Sequence, residues 1–400
     1  MANIVIIGGS FGGLTAALYL KRKLGGKHRI TVISDNEQFV FMPSIPWLAL
    51  GWRKSRDLTI NLKEYLPSRG IYFIHSAAKN IEPDKQKVIT EKISVSYDFL
   101  VIATGPHLDF DAVPGLGPEK GYTESIFTLD HAERAYQAWK RFLVTGGPIV
   151  IGATQGVSCF GPSYEYILEI DCLLRKIGMR SKVPLCFVTS EPYLSHFGLG
   201  GVGKSRRLLE DEFAEKDIKV FCNAIVKEIM PDRVQLSDGT ELPFKFSMFA
   251  PPFRGVDAVL NSGLGNPKGW LMVDEYYRLP KHKNIYAAGV AVGIMPAEPT
   301  PIPTGVPKTG SMTMVMAKIV ANNILADIKG GAKISLPVSE IDVTCLADMG
   351  NTALFMSAKP ALPPRQKVVL KKSRWVRWMK LGFERYFLLK LKLGVDFLPG

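Results

Sequence analysis

One thiol lies where a chain of this kind usually holds phosphate. Ile149-Val150-Ile151-Gly152-Ala153-Thr154-Gln155-Gly156 reads as a strand entering a glycine turn. That arrangement lets backbone N–H groups reach a pyrophosphate at a helix N-terminus. The third glycine of the usual spacing is missing, and Cys159 follows near the start of the next helix. Aligned peptide dipoles favour a thiolate there, so the expected chemistry is that of a reactive cysteine. Glu165, His131 and His196 are the other candidates to carry protons. Read as bare residues, each is equally a solvated side chain or a helix-terminal one.

A regular glycine loop stands at the N-terminus. The apolar strand Asn3 to Ile7 runs into Gly8-Gly9-Ser10-Phe11-Gly12-Gly13 and then an apolar helix from Leu14. A second strand, Arg29 to Ile33, ends in Ser34-Asp35. Such glycines allow a tight turn and close approach of the backbone to a dinucleotide pyrophosphate. Ser34 occupies the usual acidic position, so Asp35 is expected to accept the ribose hydroxyl from the next residue. Two more buried strands follow, one ending in Ala103-Thr104-Gly105 and one in Ala288-Gly289-Val290.

These three segments, in this order, resemble the FAD domain of the two-dinucleotide-domain flavoproteins. The implied fold is α/β, with two Rossmann-like nucleotide-binding domains of the FAD/NAD(P) type and a C-terminal amphipathic helical region. The expected division is 1–111 plus 271–331 for a split FAD domain, 112–270 for the second domain carrying Cys159, and 332–400 for a quinone and membrane region. Val290 replaces the aspartate usual in that superfamily, so a backbone N–H is expected to serve the flavin there.

Longer motifs narrow the resemblance. Gly152 to Glu165, Asp130-His131-Ala132-Glu133, His196-Phe197-Gly198-Leu199, Pro303 to Gly310, Thr344-Cys345-Leu346-Ala347-Asp348 and Arg374-Trp375-Val376-Arg377-Trp378 resemble sulfide:quinone oxidoreductase. The resemblance implies that Cys159 and Cys345 form a disulfide or sulfur-bridged pair beside a flavin, that sulfide attacks it, and that electrons pass through FAD to a membrane quinone. It makes Cys345 the flavin-facing cysteine and Cys159 the carrier of the growing sulfur chain. It also places Pro43, Ala78, Lys308 and Thr309 along the cofactor, with Lys308 near the flavin's pyrimidine end, and Phe383 and Leu346 at the quinone. His131, His196 and Glu165 become proton carriers on the same ground.

The underlying chemistry is general. Hydrosulfide attacks a disulfide to give a persulfide on one cysteine and a thiolate on the other. There are two departures from relatives of this type. The three-cysteine members have a further cysteine just before the Asp-His-Ala-Glu motif, where this chain has Phe127. Flavocytochrome c sulfide dehydrogenases attach FAD through a cysteine near position 42, where this chain has Met42, so the FAD is expected to be non-covalent. Cys172, Cys186 and Cys222 read as small core hydrophobes. Five cysteines without a Cys-x-x-Cys spacing point away from zinc, iron–sulfur clusters and a disulfide scaffold.

Charge gathers at the C-terminal end. Residues 365–400 hold ten Lys/Arg against Glu384 and Asp396, +8 of the chain's +13. On a helical wheel Trp375, Trp378, Met379, Phe383, Tyr386, Phe387, Leu389 and Leu393 share one face, and Arg374, Arg377, Lys380, Arg385 and Lys392 the other. Such a helix is expected to lie in an interface of anionic lipids. Each basic residue contributes about 1 kcal/mol and each well-buried apolar side chain about 2 kcal/mol. No run of roughly 18 apolar residues crosses a bilayer, and no cleavable signal fits before the first strand. The expectation is peripheral, monotopic attachment without nucleic-acid binding, compatible with a homo-oligomer. A type II NADH:quinone oxidoreductase is the enzymatic alternative; it would need a regular second glycine loop and an acidic residue ending the Leu185 to Thr189 strand. A flavin-binding membrane-surface sensor is the non-enzymatic one.

Overall fold

The computed structural model describes residues 1–393; the last seven residues of the predicted C-terminal region, 394–400, lie outside the described residues. Two parallel sheets organise the chain. The first has six strands in the order Arg278–Leu279, His282–Ala287, Phe99–Ile102, Asn3–Ile7, Arg29–Ser34, Tyr72–His75. All pair in parallel except the short Arg278–Leu279 edge. Its central strands are near-continuous apolar runs because helices cover both faces of a parallel sheet. Ile4, Val5, Ile6, Leu100, Val101, Ile102 and Ile285 are accordingly buried. The chain leaves this sheet after Phe99–Ile102 and returns to it at His282–Ala287.

Between those points it builds the second sheet, in the order Ile218–Phe221, Leu185–Thr189, Ile149–Ala153, Phe246–Ala250, wholly parallel. The helix Gly161–Lys176 follows the Ile149–Ala153 strand and packs over both it and Phe246–Ala250. Pro162 sits in its first turn, where a missing N–H costs nothing. Cys222 falls just past the end of its strand rather than within it.

The C-terminal part is a three-stranded antiparallel sheet, Val343–Asp348, Ala353–Lys359 and Lys367–Ser373, followed by the helix Arg374–Leu393. The helical-wheel expectation is corrected here. Lys380 is only 2% exposed, and with Val376, Glu384, Phe387, Leu388 and Leu391 it forms the inner face. Trp375 and Trp378 remain 79% and 67% exposed, with Met379, Leu389 and Leu393 also outside. The helix therefore divides its apolar residues: one set packs on the protein and the other faces out. Among the described residues, no helix is long and apolar enough to cross a membrane.

Candidate active site

Three segments converge on one point. Gly156 N–H donates to Pro303 O at 3.2 Å, and Gly305 N–H donates to Val157 O at 2.8 Å, laying the 303–308 segment along the cysteine loop. A Cβ at Gly305 would stand 2.5 Å from Ser158 Cβ, so this contact needs glycine. Ser311 Oγ then donates to Thr344 O at 3.0 Å, which ties the Val343–Asp348 strand to the start of the next helix. Cys159, Lys308 and Cys345 thus come together from positions far apart in sequence. Both cysteines are free thiols in this structure.

Electrostatics reports the same neighbourhood. Burial pushes the Cys159 thiol up to about 12; Cys345 adds to the rise and Lys308 opposes it. This corrects the expectation that the helix start alone would favour a thiolate, because desolvation acts in the other direction and prevails. Burial pushes Cys345 up to about 11, with the Glu165 carboxylate adding and Lys380 opposing. Burial pulls Lys308 down to about 8, against the stabilising influence of Cys159. The Lys308 ammonium lies 4.7 Å above the Trp270 ring and makes no ion pair with any described carboxylate.

Glu165 does not face water. It contacts Lys380 in a buried ion pair that joins the Gly161–Lys176 helix to the C-terminal helix. Burial raises Glu165, while burial alone would lower Lys380; the Glu165 and Glu169 carboxylates beside Lys380 more than offset this and hold it charged. Asp348, three residues past Cys345, accepts from Trp47 Nε1 at 2.9 Å and Arg377 Nε at 3.1 Å. Arg53 pairs with Glu384 at 2.8 Å. Glu169 and Trp47 were not singled out from sequence, and Asp348, Arg377 and Lys380 appeared there only as motif residues or as part of the helix's charged face. The only signal was the pair of acids at 165 and 169, one helical turn apart within an otherwise apolar run.

The two histidines sit in different surroundings. His196 is 2% exposed rather than solvated; its Nε2 lies 3.3 Å from Glu298 Oε1 and its Nδ1 accepts from Gly198 N–H. His131, in the first turn of the Leu129–Thr145 helix, meets Glu119 at 2.7 Å. Phe127 packs edge-on against Phe253 at 5.6 Å.

The first glycine loop fits a dinucleotide. The Phe11–Leu24 helix begins with Ser10 making no side-chain cap and with no acid in its first turn, so its N–H groups are left for a ligand. Gly8 has φ +115° and a Cβ there would meet Ala103 O at 2.1 Å; a Cβ on Gly13 would meet Gly8 O at 1.9 Å. Gly12 packs against Ala103 and Thr313, and Gly9 lies against the buried Ser34 hydroxyl. Asp35 is exposed, so Ser34 rather than Asp35 faces the loop. Thr104, Gly105, Gly289 and Val290 line the strand ends of the same sheet. The Thr309 hydroxyl caps its helix by accepting from Met312 N–H. Pro43 lies in a short helical turn before Trp47, and Ala78 opens the strand Ala78–Glu82. Phe383 stacks obliquely on Phe41 and Phe387, and Phe387 in turn reaches Phe11 at 5.2 Å. Leu346 is partly buried beside Cys345.

Protein groups pack closely past the end of the Leu185–Thr189 strand. Glu191, two residues past the Leu185–Thr189 strand, is buried and accepts from Tyr164 Oη at 2.7 Å, Thr189 Oγ1 at 2.7 Å and Phe197 N–H at 2.6 Å. An acid with three internal donors has little capacity left for a ribose diol. Phe187, Phe197 and Phe213 pack around Tyr164 with centroids 4.6–5.9 Å away.

Residues 2–306 match the family model described as pyridine nucleotide-disulphide oxidoreductase. The sulfide-quinone reductase of Aquifex aeolicus is 44% identical over 98% of this chain and 91% of its own length. The chain belongs to that family. The X-ray structure of the Aquifex aeolicus sulfide:quinone oxidoreductase superposes with a TM-score of 0.94, covering 98% of this chain and 92% of the other at 43% identity. A type II NADH:quinone oxidoreductase of Staphylococcus aureus is 24% identical over 82% of this chain and 83% of its own length. The family is FAD-dependent, with a quinone as acceptor.

Proposed function

We propose that this protein oxidises sulfide to polysulfide or sulfur through Cys159 and Cys345 and passes the electrons by way of FAD to a quinone. The convergence of the cysteine loop, the Lys308 segment and the Cys345 strand carries this reading. FAD, held by the first glycine loop and the strand ends at Gly105 and Gly289, supplies a two-electron acceptor that can be reoxidised by quinone. In the oxidised protein, hydrosulfide attacks the sulfur bridge between the two cysteines. One S–S bond breaks, one forms, and the products are a persulfide and a thiolate. Re-forming a sulfur–sulfur bond between the two residues releases two electrons and one proton.

The side chains around the pair serve distinct ends. Lys308, half-buried and without a carboxylate partner, offsets negative charge that develops on Cys159 or on the reduced cofactor. Glu165 and Lys380 sit beside Cys345 and give a proton somewhere to go. Phe383 and Leu346, with Phe41 and Phe387 behind them, form the apolar approach for a hydrophobic quinone. Glu191 and its aromatic neighbours occupy the place of a pyridine nucleotide, which disfavours the NADH alternative.

The exposed Trp375, Trp378, Met379, Leu389 and Leu393, with Arg374, Arg385 and Lys392 nearby, support attachment to a surface of anionic lipids. The test of function is substitution. Cys345→Ser and Cys159→Ser should each retain FAD and lose its bleaching by sulfide. Retained bleaching in either variant, with loss in Cys172→Ser, Cys186→Ser or Cys222→Ser, would show that the pair is wrongly assigned.

A further inference from the structure

A row of buried polar groups short of partners crosses the second domain. Glu169 is fully buried; its carboxyl group shares a hydrogen bond with that of Glu165 and takes none from any other side chain. Tyr166, one turn earlier on the same helix and equally buried, has an unpartnered hydroxyl. Tyr166 lies over the Phe246–Ala250 strand, its ring 6.3 Å from that of Phe246. Beside Phe246 the Ser247 hydroxyl and Glu124 Oε2 are likewise buried and unpartnered. Glu124 and Ser247 line a cavity of about 180 Å³ together with Tyr122, Arg141 and Lys245.

Groups of this kind are costly unless water or a shared proton satisfies them. Tyr166 and Glu169, one helical turn apart, and Ser247 and Glu124 on the strand side therefore call for an occupant. Buried waters bridge such groups in folded proteins, each making about three hydrogen bonds.

We propose that Tyr166 and Glu169 form a proton path leading from the Glu124 cavity to the Glu165–Lys380 pair beside Cys345. Glu169 is the proton-holding station. It is four residues from Glu165 on one helix face and shares the Lys380 charge with it, and the third acid nearby is Asp348. Burial raises Glu169 well above the usual carboxylate range, and Glu165 and Asp348 raise it further while Lys380 opposes. Burial also raises Tyr166, with Glu124 and Glu169 adding. Burial thus favours the protonated form of both groups, and a carboxyl and a phenol so placed can pass a proton on by exchange.

The need for such a path rests on the proposed function. Hydrosulfide giving sulfur releases two electrons and one proton, whereas a quinone becoming a quinol takes two electrons and two protons. One proton per turnover must come from water. The Glu124 cavity is the entrance, and Lys380, three residues before Phe383 on the C-terminal helix, stands at the quinone end.

The test uses the FAD-loaded full chain with Glu169→Gln and Tyr166→Phe. Tyr166→Phe removes no hydrogen bond to protein, and Glu169→Gln keeps a donor for the Glu165 carboxylate, so both variants should fold. Infrared difference spectra at neutral pH should show the carbonyl band of a protonated carboxyl group that disappears in Glu169→Gln. In rapid mixing, sulfide should bleach both variants as it does the wild type. Reoxidation by quinone should slow by on the order of 10²-fold, with an increased solvent isotope effect. Sulfide failing to bleach the wild-type flavin would overturn the functional reading and the role of the path with it. Normal bleaching with no band assignable to Glu169, or with quinone reoxidation unchanged in both variants, would overturn the path alone.

Discussion

Replacing Lys380 by Met tests how the C-terminal helix is fastened. Lys380 and Glu165 are both buried, so the change leaves a carboxylate in the interior beside Glu169 and Asp348 with its nearest cation gone. Breaking one partner of a buried pair costs about 3–5 kcal/mol. The sign with pH follows from linkage. Glu165 is already raised by burial, and losing Lys380 raises it further, so the folded variant binds a proton that the unfolded chain releases above its ordinary carboxylate range. Stability should therefore fall as pH rises from that range, and the cost should be least in acid. Urea unfolding followed by circular dichroism, at fixed excess FAD and several pH values, measures this. Adding Glu165→Gln should restore most of the loss, since two adjacent changes in one network are not additive. A cost below about 1 kcal/mol at neutral pH, or no rescue by Glu165→Gln, would refute the buried-pair reasoning.

Other outcomes follow from the same geometry. Reduced Cys159, pushed up to about 12, has a thiolate fraction at pH 7 of about 10⁻⁵. Its alkylation without FAD should be roughly 10³-fold slower than that of an ordinary cysteine and rise with pH past 9; a rate typical of free cysteine at pH 7 would contradict this. Lys308→Met should slow the alkylation further and lower the two-electron potential of the bound flavin by on the order of 30 mV, equivalent to about 1.4 kcal/mol; an unchanged potential would remove Lys308 from the cofactor's surroundings. Trp375→Ala with Trp378→Ala should weaken sedimentation with anionic vesicles while leaving sulfide bleaching intact, and undiminished sedimentation in low and high salt would assign the outer helix face another role. Deleting residues 366–400 should disturb FAD retention as well as quinone turnover, because the deletion removes Lys380 from Glu165, Arg377 from Asp348 and Phe387 from Phe11.

The parts of the site legible in the sequence are those written locally. The Gly8 to Gly13 loop and the strand ends at Gly105 and Gly289 show as short local motifs, although the contacts that require glycine at Gly8 and Gly289 come from Ala103 and Thr313. The meeting of Cys159 with Cys345 was not written in any spacing; it came from resemblance, and the contacts that enforce it run through Gly305 and Ser311. Lys380 was misplaced on the solvent face because a helical wheel assigns charge outward, and its partner lies 215 residues away. His196, whose residue-level reading left a solvated loop side chain open, is instead 2% exposed in a loop where Gly198, Gly200 and Gly201 take positive φ. Glu191 was overlooked because it stands two residues beyond the strand end where an acid was sought, and its carboxylate is taken up by internal donors.

The central claim is tested most directly by an anaerobic absorbance titration of the FAD-loaded protein, first with sulfide or NADH and then with a quinone. Sulfide should bleach the flavin stoichiometrically, quinone should restore its colour, and NADH at micromolar concentration should do nothing on the same timescale. Rapid bleaching by NADH with none by sulfide would contradict the account, because it would require Glu191 and the Tyr164 aromatic cluster to give way to a pyridine nucleotide and would leave Cys159 and Cys345 without a reaction.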